Sequence, residues 1–88
     1  MALPEEFQDA SERVKKLAKR PANAELLELY ALYKQGTDGD ISGKKPGFLD
    51  LKGRKKFEAW ESKKGLSKES AQKSYVALVK KLETSPAA

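Results

Sequence analysis

Eighty-eight residues with 39% hydrophobic and 35% charged side chains are expected to form one small domain, residues 1–88. Its core is thin, burying roughly 60 to 65% of the unfolded surface, but the composition is not that of a wholly disordered chain. Cysteine and histidine are both absent, which excludes disulfides, thiolate chemistry and zinc knuckles and removes the commonest general base, so a non-enzymatic protein without cofactor or metal is expected.

The N-terminus lacks a basic segment followed by an apolar run, and no stretch approaches the roughly 20 apolar residues that span a bilayer, so a cytoplasmic protein is expected. From Pro4 to about Ala18, Phe7, Ala10, Val14 and Leu17 recur at helical spacing, with Glu5 and Glu6 suited to a first turn. Arg20-Pro21-Ala22 breaks this first helix. Asn23 is a candidate cap for a second, which runs through Leu26, Leu27, Tyr30, Ala31, Tyr33 and Lys34 to Gly36 as its stop.

Residues 36–49 hold four glycines and a proline without sustained periodicity, which predicts a loop longer than the usual helix connection and suited to function. Asp38, Asp40 and Ser42 faintly resemble a calcium loop, but Leu49 stands where its closing glutamate is needed. Asp50 is suited to cap a third helix through Phe57 and Trp60, with Lys63 and Lys64 in its last turn and Gly65 beyond. Phe57 and Trp60 read as core anchors. Ser67 then caps a fourth helix whose stripe of Ala71, Tyr75, Leu78 and Leu82 lasts until Ser85-Pro86. No strand pattern or repeat occurs, so the fold class is all-α with four helices packed as a bundle.

The net charge of +5 is uneven: residues 44–68 hold nine Lys/Arg against Asp50, Glu58 and Glu61. An anionic partner is expected to meet this segment, and nucleic acid, membrane headgroups or a phosphorylated small molecule each satisfy the charge. Four basic residues lie within Lys52-Gly53-Arg54-Lys55-Lys56, at a helix start where positive charge is mildly unfavourable; a phosphate is the natural compensation, a solvated face the plain alternative. Gly53 weakens that helix but permits close approach of a ligand or neighbouring helix. Tyr30, Tyr33 and Lys34 lie close together on helix two, and Tyr75 adds a third tyrosine; singly, each also fits an amphipathic core position.

The strings Leu29-Tyr30-Ala31-Leu32-Tyr33-Lys34-Gln35, Gly39-Asp40-Ile41, Lys45-Pro46-Gly47-Phe48-Leu49-Asp50 and Leu51-Lys52-Gly53-Arg54-Lys55-Lys56-Phe57-Glu58-Ala59-Trp60 resemble the acyl-CoA-binding protein family. The resemblance covers essentially residues 4 to 83. It implies an up-down-down-up four-helix bundle that binds medium- and long-chain fatty acyl-CoA, without catalysis, as an intracellular carrier and pool former.

By the same resemblance, Tyr30, Tyr33, Lys34 and Lys56 hold the nucleotide end, within the ligand-binding stretch that includes Ala31 and Leu32. Lys15, Lys52 and Tyr75 fall at further contact positions, and Phe7, Ser11, Leu26 and Leu27 at the acyl-chain groove. Lys55, Phe57, Phe48 and Gly36 depart from the family pattern, and Lys55 brings an added charge expected near the acyl groove. The implied partners are acyl-CoA and, transiently, acyl-CoA-using enzymes and membranes; the expected state is a monomer that does not bind nucleic acid. A nucleic-acid-binding domain and a protein or membrane interaction module are the competing readings.

Overall fold

The computed structural model describes residues 3–43, 45, 47 and 49–84, most of which lie in four α-helices. These are α1 (Leu3–Arg13), α2 (Asn23–Thr37), α3 (Leu51–Glu61) and α4 (Lys68–Thr84), and no strand occurs among the described residues. Lys44, Pro46 and Phe48 of the loop string, and the Ser85-Pro86 stop, lie outside the described residues.

Helix boundaries follow local chemistry, and several differ from the sequence expectation. α1 ends at Arg13 rather than near Ala18; a 3-10 turn over Val14–Lys16 follows and Leu17 is extended (φ −59°, ψ 135°). Arg20 precedes Pro21 and is steered away from helical dihedrals, so the chain leaves the helix before it. α2 begins at Asn23 itself, so its cap lies one residue earlier than proposed. Ala22 occupies the cap position, and its N–H donates to the Glu25 carboxylate at 3.0 Å, which is one half of a capping box made without a capping side chain.

Gly36 does not stop α2, which continues to Thr37. A Cβ there would stand 3.1 Å from Phe7 Cζ and 3.1 Å from Gln72 Cγ, so the glycine lets α2 approach α1 and α4. Gly39, at φ +81°, is the residue that turns the chain away. Asp50 does cap α3, accepting from the Gly53 N–H at 3.0 Å, and Ser67 Oγ accepts from the Ser70 N–H at 3.0 Å. Lys63 and Lys64 lie in the turn after α3 rather than within its last helical turn.

The core forms where α4 packs against both α1 and α2. Phe7, Ala10, Leu29, Leu32, Tyr75, Val76 and Val79 are its buried members, with Val14, Leu66, Leu78 and Leu82 packed around them. α3 is different: it packs on α2 and contributes no buried residue.

Polar and ionic contacts hang α3 on α2. The fully buried Gln35 donates through Nε2 to Asp40 Oδ1 and to the Leu66 carbonyl, both at 2.8 Å, and its Oε1 accepts from Trp60 Nε1 at 3.2 Å. Trp60 Nε1 also donates to the Gly39 carbonyl at 2.9 Å, and Lys63 pairs with Glu28 at 2.6 Å. A buried amide with its groups satisfied in this way fixes the relation of α2, the following loop and the α3–α4 turn.

Candidate ligand-binding site

Two open cavities flank α2 and share one wall residue. The larger, about 490 Å³, is lined by Gln8, Ser11, Glu12, Val14, Lys15, Pro21, Leu26, Leu29, Tyr30, Tyr33 and Tyr75. The smaller, about 320 Å³, is lined by Tyr30, Ile41, Ser42, Gly43, Gly53, Lys56, Phe57 and Trp60. Tyr30 belongs to both.

Helical spacing builds each wall. On α2, Leu26, Leu29, Tyr30 and Tyr33 are linked by steps of three (26 to 29, 30 to 33) and four (26 to 30, 29 to 33), so one face of the helix runs along the larger cavity. On α3, Gly53, Lys56, Phe57 and Trp60 do the same for the smaller one. Phe57 and Trp60 are therefore half-buried cavity walls and not the core anchors their spacing suggests.

Two rings line the floor of the larger cavity and a third backs them. Tyr33 and Tyr75 have centroids 5.9 Å apart, and the Phe7 ring packs against both, at 5.4 Å and 5.1 Å. Tyr33 is 37% exposed, whereas Tyr75 is only 4% exposed and sits in the core cluster. Tyr75, a contact position by the family resemblance, is a core residue that also touches the cavity, and burial raises its phenol pKa, with Tyr33 adding to the effect. Ser11 is buried at this wall, its Oγ donating to the Gln8 carbonyl at 2.6 Å.

The cations cluster at the other end. Lys56 Nζ stands 5.5 Å over the Tyr30 ring, and Lys34 Nζ stands 5.0 Å over the Trp60 ring. Lys34 also pairs with Asp38 at 2.7 Å; that hydrogen bond raises the ammonium pKa and lowers the carboxyl pKa. Asp40 is likewise held low, first by the Gly65 N–H and then by Gln35. Lys15 reaches the larger cavity and lies 3.8 Å from Glu12.

Other residues named from the sequence stand elsewhere. Phe7, Ala31 and Leu32 are buried and line neither cavity, because the interior of the bundle takes up that face of α1 and α2. Leu27 is half-buried and Lys52 exposed, also off both cavities. Lys55 lies on the exposed side of α3, two positions from Gly53 and Phe57, and adds no charge to the larger cavity. At Gly53 the space a Cβ would take is filled by the Asp50 carboxylate and not by a neighbouring helix, while the residue itself lines the smaller cavity.

Sequence reasoning missed Gln35, Ile41, Ser42 and Gly43, and misjudged Phe57 and Trp60. The usable signal was the shared helical face of Gly53, Lys56, Phe57 and Trp60, which places the two aromatics beside a cation. No group of acidic side chains able to hold a metal occurs among the described residues.

A helical bundle with a mostly apolar groove and a lysine-flanked aromatic pocket that share Tyr30 as a wall suits the binding of an amphipathic anion. The family profile described as acyl-CoA-binding protein matches residues 4–79. The chain is 59% identical over 76 residues to acyl-CoA-binding protein homolog 1 of Caenorhabditis elegans, covering 86% of this chain and 88% of that one. It is 51% identical over 76 residues to the acyl-CoA-binding protein of Saccharomyces cerevisiae, covering 86% and 87%. The crystal structure of Oryza sativa acyl-CoA-binding protein 2 superposes with a TM-score of 0.88 at 42% identity, covering 92% of this chain and 90% of that one. This chain belongs to the acyl-CoA-binding protein family.

Proposed function

We propose that this protein binds medium- and long-chain fatty acyl-CoA esters and carries them as a cytoplasmic, non-catalytic, single-domain monomer. It would exchange ligand transiently with acyl-CoA-using enzymes and membranes and would not bind nucleic acid. The observation that carries the reading is that two cavities share Tyr30 as a wall, one mostly apolar and one flanked by Lys56 and Lys34.

Each half of the ligand has a matching surface. Lys56 and Lys34 supply positive charge for phosphate, the Tyr30 hydroxyl a neutral donor, and Tyr33 a flat face for the adenine. Ser11, Leu26, Lys15 and the edge of Tyr75 border the groove for the thioester-linked chain. Every methylene removed from water contributes at most about 0.8 kcal/mol, so affinity rises with chain length until the groove ends. Binding requires no bond to form or break; the chain's part is to desolvate the acyl tail and neutralise the phosphates.

Native mass spectrometry of protein expressed in cells tests this. Co-purified acyl-CoA is expected, whereas a chain carrying nucleic acid, or no ligand even when acyl-CoA is added, would contradict it.

A further inference from the structure

Gln35 is fully buried and lines neither cavity, yet the bonds of its side-chain amide run to α3 and to the segments before and after it. Oε1 accepts from Trp60 Nε1 on α3, and Nε2 donates to Asp40 in the loop before α3 and to the Leu66 carbonyl in the turn after it. Only this orientation of the amide meets one donor and two acceptors, so the three bonds stand or fall together. Asp40 Oδ1 also accepts from the Gly65 N–H at 2.8 Å, and the residues that follow Asp40, namely Ile41, Ser42 and Gly43, line the smaller cavity beside Trp60.

Apolar burial holds α3 only weakly. It contributes no buried residue, whereas the buried core residues lie on α1, α2 and α4. The Lys63–Glu28 pair joins the same elements at the partly exposed surface, where ion pairs contribute little. The core therefore survives a shift of α3 on α2, but the smaller cavity does not, because Trp60 would move from the Lys34 ammonium and Lys56 from the Tyr30 ring. A ligand that needs both sides binds only the fraction of molecules in which α3 is seated, and its apparent affinity falls with that fraction.

We propose that Gln35 is a positioning residue for the CoA end of the ligand: through Trp60 and Asp40 it seats α3 and residues 41–43 against α2, and so sets the affinity of the smaller cavity without touching what binds there. The inference rests on the assignment of that cavity to the nucleotide end. The larger cavity has no wall residue from α3 or from the loop before it, so it does not share the dependence.

Calorimetric titrations of the full chain with free CoA, dodecanoyl-CoA and palmitoyl-CoA test this in the parent, Gln35→Met and Gln72→Met. Gln72 is the comparison: its Nε2 donates to the Gly36 carbonyl at 2.9 Å, a similar amide tie that joins α4 to α2 instead. Gln35→Met should weaken free CoA about tenfold, while the ratio of the dodecanoyl-CoA and palmitoyl-CoA dissociation constants stays as in the parent. Trp60 is the only tryptophan in the sequence, so its emission should shift to the red in that variant as the indole loses Gln35. Gln72→Met should lower the melting temperature and leave free-CoA affinity and emission unchanged. Circular dichroism checks that each variant is folded; should Gln35→Met not fold, Asp40→Ala, which removes the acceptor of the amide at an exposed position, is titrated with the same expectation. Free CoA bound as tightly by the Gln35 variant as by the parent overturns the proposal. So does an equal loss in the Gln35 and Gln72 variants, or a chain-length ratio that falls with CoA affinity, since either would make the amide a general support of the fold. A parent that binds none of the three ligands overturns the ligand reading and the proposal with it.

Discussion

Lys56 Nζ lies 5.5 Å above the centroid of the Tyr30 ring, so a cation from α3 and an aromatic face from α2 close one cavity together. Among the described residues Lys56 has no carboxylate partner, and its charge is available to a ligand phosphate. Lys56→Ala is therefore expected to weaken acyl-CoA binding by about 1.5 to 3 kcal/mol, the size of a charged hydrogen bond, with little change in thermal stability. Calorimetric titration at low salt, paired with a thermal melt, measures both.

Lys34 differs because Asp38 already holds it at 2.7 Å. A phosphate must share or displace that partner, so Lys34→Ala should cost less affinity than Lys56→Ala, and Asp38→Asn should tighten binding of free CoA. The pH dependence has a definite sign. The Asp38 carboxyl pKa is lowered by Lys34, so the pair's contribution to stability is present above the ordinary carboxylate pKa and disappears as pH falls through the lowered value. The raised Lys34 pKa preserves the same contribution until pH rises through it in the alkaline range. Urea melts of the parent and of Asp38→Asn should differ at neutral pH and converge in acid.

Tyr75 separates packing from ligand contact. At 4% exposure, in the cluster with Phe7 and Val79, its ring is a structural part of the bundle. Tyr75→Ala is expected to lower folding stability by about 3 to 5 kcal/mol, and Tyr75→Phe, which keeps the ring, to bind and fold nearly as the parent does. Denaturant melts with both variants decide it; an alanine variant losing under about 1 kcal/mol would show that the ring does not carry the packing.

Gly53 offers a cycle rather than a single change. Alanine at a helix interior is favoured over glycine by about 1 kcal/mol, but here its Cβ would expel the Asp50 carboxylate from the cap, a loss of about 0.5 to 2 kcal/mol. Gly53→Ala alone should give no stabilisation. In an Asp50→Ala background, where no cap remains to lose, the same substitution should stabilise, and denaturant melts of the four proteins read the difference.

How far the sequence could be read depended on the range of the interaction. The apolar periods of all four helices and the Asp50 and Ser67 caps are local and were legible. The start of α2 was misplaced by one residue because Ala22 uses its backbone with Glu25, leaving no capping side chain to see. Gln35 was invisible because its partners Trp60 and Leu66 lie 25 and 31 residues away. Phe57 and Trp60 were misjudged for a related reason: periodicity says which face turns inward, but not whether a helix or an open cavity meets it. The ligand itself was legible only through the ordered strings of residues 29–60 that resemble the family; charge alone left nucleic acid and membranes equally open.

The central claim is that one ligand spans both cavities, and calorimetry with palmitoyl-CoA, free CoA and free palmitate tests it most directly. Palmitoyl-CoA should bind most tightly, free CoA more weakly, and palmitate most weakly, because each fragment fills a single cavity and palmitate leaves the lysines without a phosphate. Palmitate binding as tightly as palmitoyl-CoA, or palmitoyl-CoA no tighter than free CoA, would contradict the account.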